Sequence, residues 1–261
     1  SLLASLFQRS GVDMGDRLVP ATQANPHGHF EHEPFVHLHE RLLHANRLTM
    51  YAHSARDDAA VARGLDWPTD LQRTARDLVH DRVQRVAGSC WGWKDPRTTL
   101  VLDAWRSFLH QADLRPAFVL VWRPAAEVLD SLRRRNDPDL RRRFPGEVTL
   151  RKAGLPTFHA RRAAAMWALH NRAVIRFLEN PTHEPRDAVL VRARDVAERW
   201  TSLARSVTRS LRVPLETADT DRAVDRSLMR ETPPERYRRA LRAVAADDIE
   251  RRLQGLSLHP D

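Results

Sequence analysis

Lysine is nearly absent from this chain, and cysteine more nearly so. Of 43 basic side chains only Lys94 and Lys152 are lysine, and Cys90 stands alone. One cysteine excludes an internal disulfide and any cysteine-based zinc site, and it makes a reducing compartment, the cytoplasm, the default. We expect Cys90 to lie buried and assign it no chemistry. No apolar run approaches the roughly 20 residues that a membrane span requires. Leu2 to Phe7 is too short for a signal-peptide core and has no basic leader. No internal repeat, low-complexity tract or long linker divides the chain. Its 261 residues are expected to form one α/β domain over 1–261.

The formal net charge is +9, with arginine spread along the whole length. Charge bears on partners rather than on fold. Three readings stay open: a nucleic-acid partner, a pocket for a small polyanion, and a codon bias that replaces lysine by arginine. There is no basic stripe interleaved with aromatics and no zinc finger or other nucleic-acid motif, so no nucleic acid is expected.

Against that background the stretch Trp91-Gly92-Trp93-Lys94-Asp95-Pro96-Arg97 stands out. A helical pattern precedes it (Leu71, Ala75, Leu78, Val79, Arg82, Val86) and another follows it (Thr98 to Leu109). A short aromatic run between two helices reads as a buried strand. Pro96 cannot extend a ladder but suits the first turn of a helix, so the strand is expected to end near Lys94. Lys94, Asp95 and Arg97 then lie at the carboxyl edge of a strand, where ligands bind in open α/β sheets. Lysine is a compact point charge, whereas arginine is a fixed fork. A rare lysine at a strand end points to donation to a single oxygen; a plain surface cation is the bland alternative.

Taken in order, Ser1 to Arg9 reads as a helix with Leu2, Leu3, Leu6 and Phe7 on one face. The Arg9-Ser10-Gly11 triplet looks like a phosphate loop but follows a helix rather than a strand, and is rejected. Asn25 to Glu33 is a turn with three histidines and two acids. Its spacing matches no standard metal site, so no metal is expected; a solvated loop and a loop carrying a general base remain. Phe35 to Met50 looks helical, Ala52 to Asp70 has no firm pattern, and Thr69 to Val86 is an amphipathic helix. Ala117 to Trp122 is a continuous apolar run and reads as a central parallel strand. Arg123-Pro124 closes it, and Ala125 to Arg135 is the next helix. Ser131 lies two turns into that helix and Arg135 one turn further, at i+4. Arg123, Ser131 and Arg135 can therefore converge on a phosphate; an arginine-rich surface helix is the alternative. Asn136 to Pro156 reads as a polar loop over a site. Phe158 to Asn180 is a long helix, Ala188 to Val191 a second buried strand, Val196 to Leu211 a helix, and Pro233-Pro234 opens a last helix.

Several of these stretches together resemble the PAPS-dependent sulfotransferases, in the bacterial branch related to tyrosylprotein and carbohydrate sulfotransferases. They are Trp93-Lys94-Asp95-Pro96-Arg97, Trp122-Arg123-Pro124 with Ser131 and Arg135, Leu190-Val191-Arg192 before Asp195, and Asn25-Pro26-x-Gly28-x-Phe30-Glu31. The resemblance runs from Ser1 to about Trp200. It implies a P-loop nucleoside-kinase-like fold, a parallel sheet flanked by helices. It implies 3′-phosphoadenosine 5′-phosphosulfate (PAPS) as donor and PAP as product. The family's phosphosulfate loop, Arg-Ser-Gly-Thr-Ser followed by leucines, sits between its first strand and first helix. Ser1-Leu2-Leu3 matches only the end of that motif. The first strand and most of the loop are thus expected to be missing, with Ser1 the last loop hydroxyl at an anion-favouring helix N-terminus.

By position, the resemblance gives Arg123 and Ser131 the 3′-phosphate, with Arg135 as a third contact. It gives Lys94 the bridging oxygen of the leaving sulfuryl group. Glu31 matches the general position of the base in the tyrosylprotein branch, with His29 or His32 as alternatives. As acceptor the resemblance implies a hydroxyl of a small molecule, a carbohydrate or a peptide. Such a transfer needs in-line positioning, neutralised charge on the leaving group and a base for the acceptor proton. Two departures stand out. Ala193-Arg194-Asp195-Val196 replaces the family's Tyr-Glu-Asp-Leu, and the closing arginine segment has only Arg226 and Arg230 as candidates. The chain as given is expected to bind PAP poorly and to have little activity. A P-loop nucleotide kinase and a basic nucleic-acid-binding module are the competing functions.

Overall fold

Two five-residue runs rich in β-branched and aromatic side chains carry the sheet. Phe118–Trp122 forms β1 and Ala188–Arg192 forms β2, paired in parallel with Phe118 opposite Ala188 and Trp122 opposite Arg192. The computed structural model describes residues 2–21, 28–50, 54–86, 88–134, 159–184, 187–216 and 232–259. Ser1, Asn25, Pro26, Arg135, Lys152, Arg226, Arg230 and the expected 136–156 loop lie outside these residues. Among the described residues the protein is mixed α/β and mostly helical, with a two-stranded parallel sheet flanked by helices.

Before the sheet come α1 (Leu2–Arg9), α2 (Glu33–Ala45), α3 (Ala55–Arg63), α4 (Thr69–Val86), a 3-10 turn (Pro96–Leu100) and α5 (Leu102–Gln111). Parallel strands need a long crossover, and α6 (Ala125–Arg134) and α7 (Ala160–Leu178) lie within it. After β2 come α8 (Ala193–Glu198), α9 (Trp200–Leu211), a second 3-10 turn (Pro234–Tyr237), α10 (Arg238–Arg242) and α11 (Ala246–Leu256).

The period-2 alternation of a strand divides the core. Phe118, Leu120, Trp122 and Leu190 face a large cluster with Phe35, Leu38 and Leu42 of α2, Trp105 of α5, Leu129 of α6 and Trp167 of α7. Val189 and Val191 face the other way, onto Leu6 of α1 and Leu203, Val207 and Leu211 of α9. Val121 shares that second side but is 45% exposed. No helix among the described residues is long and apolar enough to cross a membrane.

The aromatic run departs from the expected strand. Trp91 makes a single parallel bridge to Asp13, and Gly92 to Asp95 pair with nothing in a ladder. The partner segment is too short to continue the pairing. It turns away at Gly15, whose φ is +95° and whose N–H folds back onto the Asp13 carboxylate. Cys90 is partly rather than fully buried, and burial pushes its thiol up, away from reactivity. The expected Val196–Leu211 helix is two helices broken at Arg199. The last helix is likewise interrupted, at Ala245, which adopts a left-handed conformation (φ +53°).

Candidate functional site

Trp93 sets the direction of its neighbours. Its ring stacks on Phe35 at 4.4 Å and packs against Trp105 at 4.8 Å. Lys94 leaves the aromatic cluster for a carboxylate: its Nζ lies 2.5 Å from Glu31 Oε1. Glu31 sits just before α2, whose first turn contains Pro34, a residue suited to a helix start.

Asp95 caps the 3-10 turn behind Lys94, accepting from the Arg97 N–H at 2.9 Å. The same oxygen accepts from Arg97 Nη1 at 2.9 Å, while the other oxygen faces His39 Nδ1 at 2.8 Å. The indole N–H of Trp105 donates to His39 Nε2 at 2.7 Å. That nitrogen must carry the lone pair, so the proton lies on Nδ1 and is donated to Asp95. Arg97 reaches further with Nη2 to Glu40 at 2.9 Å and with Nη1 to within 3.8 Å of Glu31. A continuous polar chain thus runs Trp105, His39, Asp95, Arg97, Glu31, Lys94. The Asp95 and His39 side chains are 0% and 1% exposed, against 30% for Lys94. The chain is sealed at one end and open at the other. Burial opposes ionisation of Asp95, but the His39 hydrogen bond and the Arg97 charge outweigh it and hold its carboxyl below the ordinary range.

An ammonium has three N–H donors. Glu31 takes one, and the outward end of Lys94 leaves the others to an incoming oxygen. The arrangement can therefore present a cation to one oxygen and a carboxylate to a neighbouring proton.

The other predicted group lies on the β1–α6 unit. Arg123 follows β1 directly; its Nε donates to Glu127 at 2.7 Å, and its carbonyl accepts from Trp167 at 2.9 Å. Arg123 Nη2 is buried and has no hydrogen-bond partner among the described residues. The first turn of α6 is capped by Glu250, which accepts from the Ala125 N–H at 2.8 Å; burial pushes the Glu250 carboxyl up. Ser131 lies half-buried on α6, and its hydroxyl makes no hydrogen bond among the described residues. No polar contact joins the Lys94 and Arg123 groups among those residues.

The two histidine candidates differ in placement. His32 is 3% exposed, its Nε2 is 3.7 Å from Asp16, and its Nδ1 lacks a partner among the described residues. Burial, helped by nearby Arg82 and Arg17, pushes its pKa below the ordinary histidine value. His29 is half-buried and engaged in an interaction of its own. Ser1 and Arg135 lie outside the described residues. No group of three or more histidine, cysteine or acidic side chains among the described residues is arranged to hold a metal ion.

Sequence reasoning missed His39 and Glu40. A signal was present: His39 falls on the apolar stripe of α2 with Phe35, Leu38 and Leu42, where a polar ring needs a partner. Compared with family models, curated proteins and solved structures, the chain matches none.

Proposed function

We propose that this protein transfers a sulfuryl group from PAPS to a hydroxyl of a small molecule, carbohydrate or peptide, in the cytoplasm. The observation that carries the reading is the Lys94–Glu31 pair, 2.5 Å apart and backed by the buried Arg97–Asp95–His39 chain. In the proposed step the acceptor hydroxyl gives its proton to Glu31 while its oxygen attacks sulfur. The sulfur–oxygen bond to the nucleotide breaks, and Lys94 donates to the bridging oxygen as it takes up the electron pair. Arg123 and Ser131 hold the 3′-phosphate of the donor. The Arg123 Nη2, without a partner among the described residues, supports that role, since a phosphate oxygen would satisfy it. The parallel β1–α6–β2 arrangement is compatible with a sulfotransferase-type sheet, and that finer assignment is part of the proposal.

The test is sulfate transfer from radiolabelled PAPS to a panel of hydroxyl acceptors, using the protein expressed from its whole natural reading frame. Lys94→Ala is expected to lower turnover by about 100-fold or more with the thermal midpoint unchanged. Arg123→Ala is expected to raise the KM for PAPS. Undiminished transfer in both variants would overturn the site. Saturable binding of ATP–Mg²⁺ without PAP would point instead to a nucleotide kinase.

A further inference from the structure

On the edge of β2 away from β1, Leu190 bridges to Ser257, and the Leu258 N–H donates to the Leu190 carbonyl at 2.7 Å. Just beyond this bridge lies a cavity of about 150 Å³ lined by Arg192, Asp195, Arg199, Gln254, Ser257 and His259. Arg123 does not line it, although Arg192 sits opposite Trp122 in the sheet, next to Arg123.

The donors and acceptors in this cavity define a chemistry. Arg192 stacks its guanidinium over the Trp122 ring at 5.6 Å, and its Nε is buried with no hydrogen-bond partner among the described residues. A buried unmet donor is costly, and an anion would relieve it. Arg199 adds a second guanidinium fork, and forks of this kind match the geometry of tetrahedral oxyanions. Gln254 and His259 bring further N–H groups. Asp195 and Ser257 have the opposite character. The Ser257 hydroxyl already donates to the Leu253 carbonyl at 2.7 Å and accepts from the Trp122 indole at 2.8 Å. With its one proton committed, Ser257 can only accept. An ionised Asp195 also only accepts. An occupant that takes hydrogen bonds from the guanidiniums and gives one back would suit both sets.

We propose that this cavity binds inorganic phosphate. At neutral pH free phosphate always keeps at least one P–OH, which Asp195 and Ser257 can receive. Sulfate has no such proton. A phosphate monoester, with its second ionisation near pH ~6, has mostly lost its own at pH 7. The acceptors thus turn a general oxyanion cavity into one that discriminates by protonation.

Isothermal titration of the 261-residue protein with sodium phosphate, sodium sulfate and methyl phosphate at pH 7 tests the assignment. Phosphate is expected to bind saturably, and about tenfold or more tighter than either competitor. Arg199→Ala, at an exposed position, and Arg192→Met are each expected to weaken phosphate binding by about tenfold. Asp195→Asn, whose amide can donate, is expected to bring sulfate close to phosphate. No saturable phosphate binding below about 10 mM would overturn the site. So would unchanged affinity in both arginine variants, or sulfate binding as tightly as phosphate in the unmodified protein.

Discussion

The Asp95 network and the carboxyl edge of the sheet both bring arginine below the surface, but they treat it differently. Arg97 is 5% exposed and has a carboxylate at every turn: Asp95, Glu40 and, more distantly, Glu31. At the sheet edge, among the described residues, Arg123 pairs through Nε while its Nη2 is buried and unmet, and Arg192 rests on an indole with its own Nε unmet. A buried ion pair with every hydrogen bond met fixes geometry, whereas an unmet guanidinium N–H keeps a donor in reserve. Under the proposed function, the first region holds Lys94 and Glu31 in place and the second binds anions.

That contrast is broken most decisively at Asp95. Asp95→Ala strands His39 and Arg97 in the interior and is expected to cost about 3–5 kcal/mol in urea unfolding. A loss under about 1 kcal/mol would show that the network is not cooperative. Gly15→Ala comes next, at about 2 kcal/mol or more, because a left-handed residue gains a Cβ where strain and overpacking add. That Cβ would lie 2.4 Å from the His32 ring. Its loss measures how tightly the 13–16 turn packs on the His32 ring.

Arginine swaps sharpen the comparison further. Arg97→Met is expected to destabilise by about 3 kcal/mol, whereas Arg123→Met changes stability by no more than about 1 kcal/mol in either direction. Acid titration supplies a smaller, stepwise effect. His170, with Nδ1 2.6 Å from the Thr99 hydroxyl and Nε2 3.1 Å from the Met50 carbonyl, is pushed below 6.5 by burial, as is His32. A histidine depressed in the folded state is protonated first in the unfolded chain. Stability is therefore flat above pH 6.5 and falls as pH drops below it towards the folded-state values. Asp95, held below its ordinary 3.8, adds a second loss only below about that pH. Stability measured from pH 8 to 3 should show both steps, and His170→Gln should shrink the first. The smallest effect belongs to the Arg41–Asp70 pair, whose side chains are 57% and 62% exposed. Arg41→Ala should cost under about 0.5 kcal/mol.

Much of this was legible in the chain because it rests on local pattern. The amphipathic period of Thr69 to Val86 coincides with α4, and the apolar runs at 117–122 and 188–191 fall on the two strands, Phe118–Trp122 and Ala188–Arg192. Leu190 and Val191 show why the strands could be read, since each alternate side chain has a separate core to enter. Trp91 to Lys94 has strand composition but finds only one bridge, because pairing depends on a partner that is distant in sequence. Residues 52–70 show no firm apolar period, although Ser54 and Asp57 form a capping box over the first turn of α3. For the site, Lys94 and Glu31 were each singled out, but neither their 2.5 Å pairing nor the part played by His39, 56 residues from Asp95, has a local signature.

The central claim is that Lys94 and Arg123 serve one nucleotide, and hydrogen exchange of the protein from its whole reading frame, with and without saturating PAP, tests it most directly. The account predicts slowed exchange in the peptides covering both 91–97 and 122–131. Protection confined to one of them, or to neither, would contradict it.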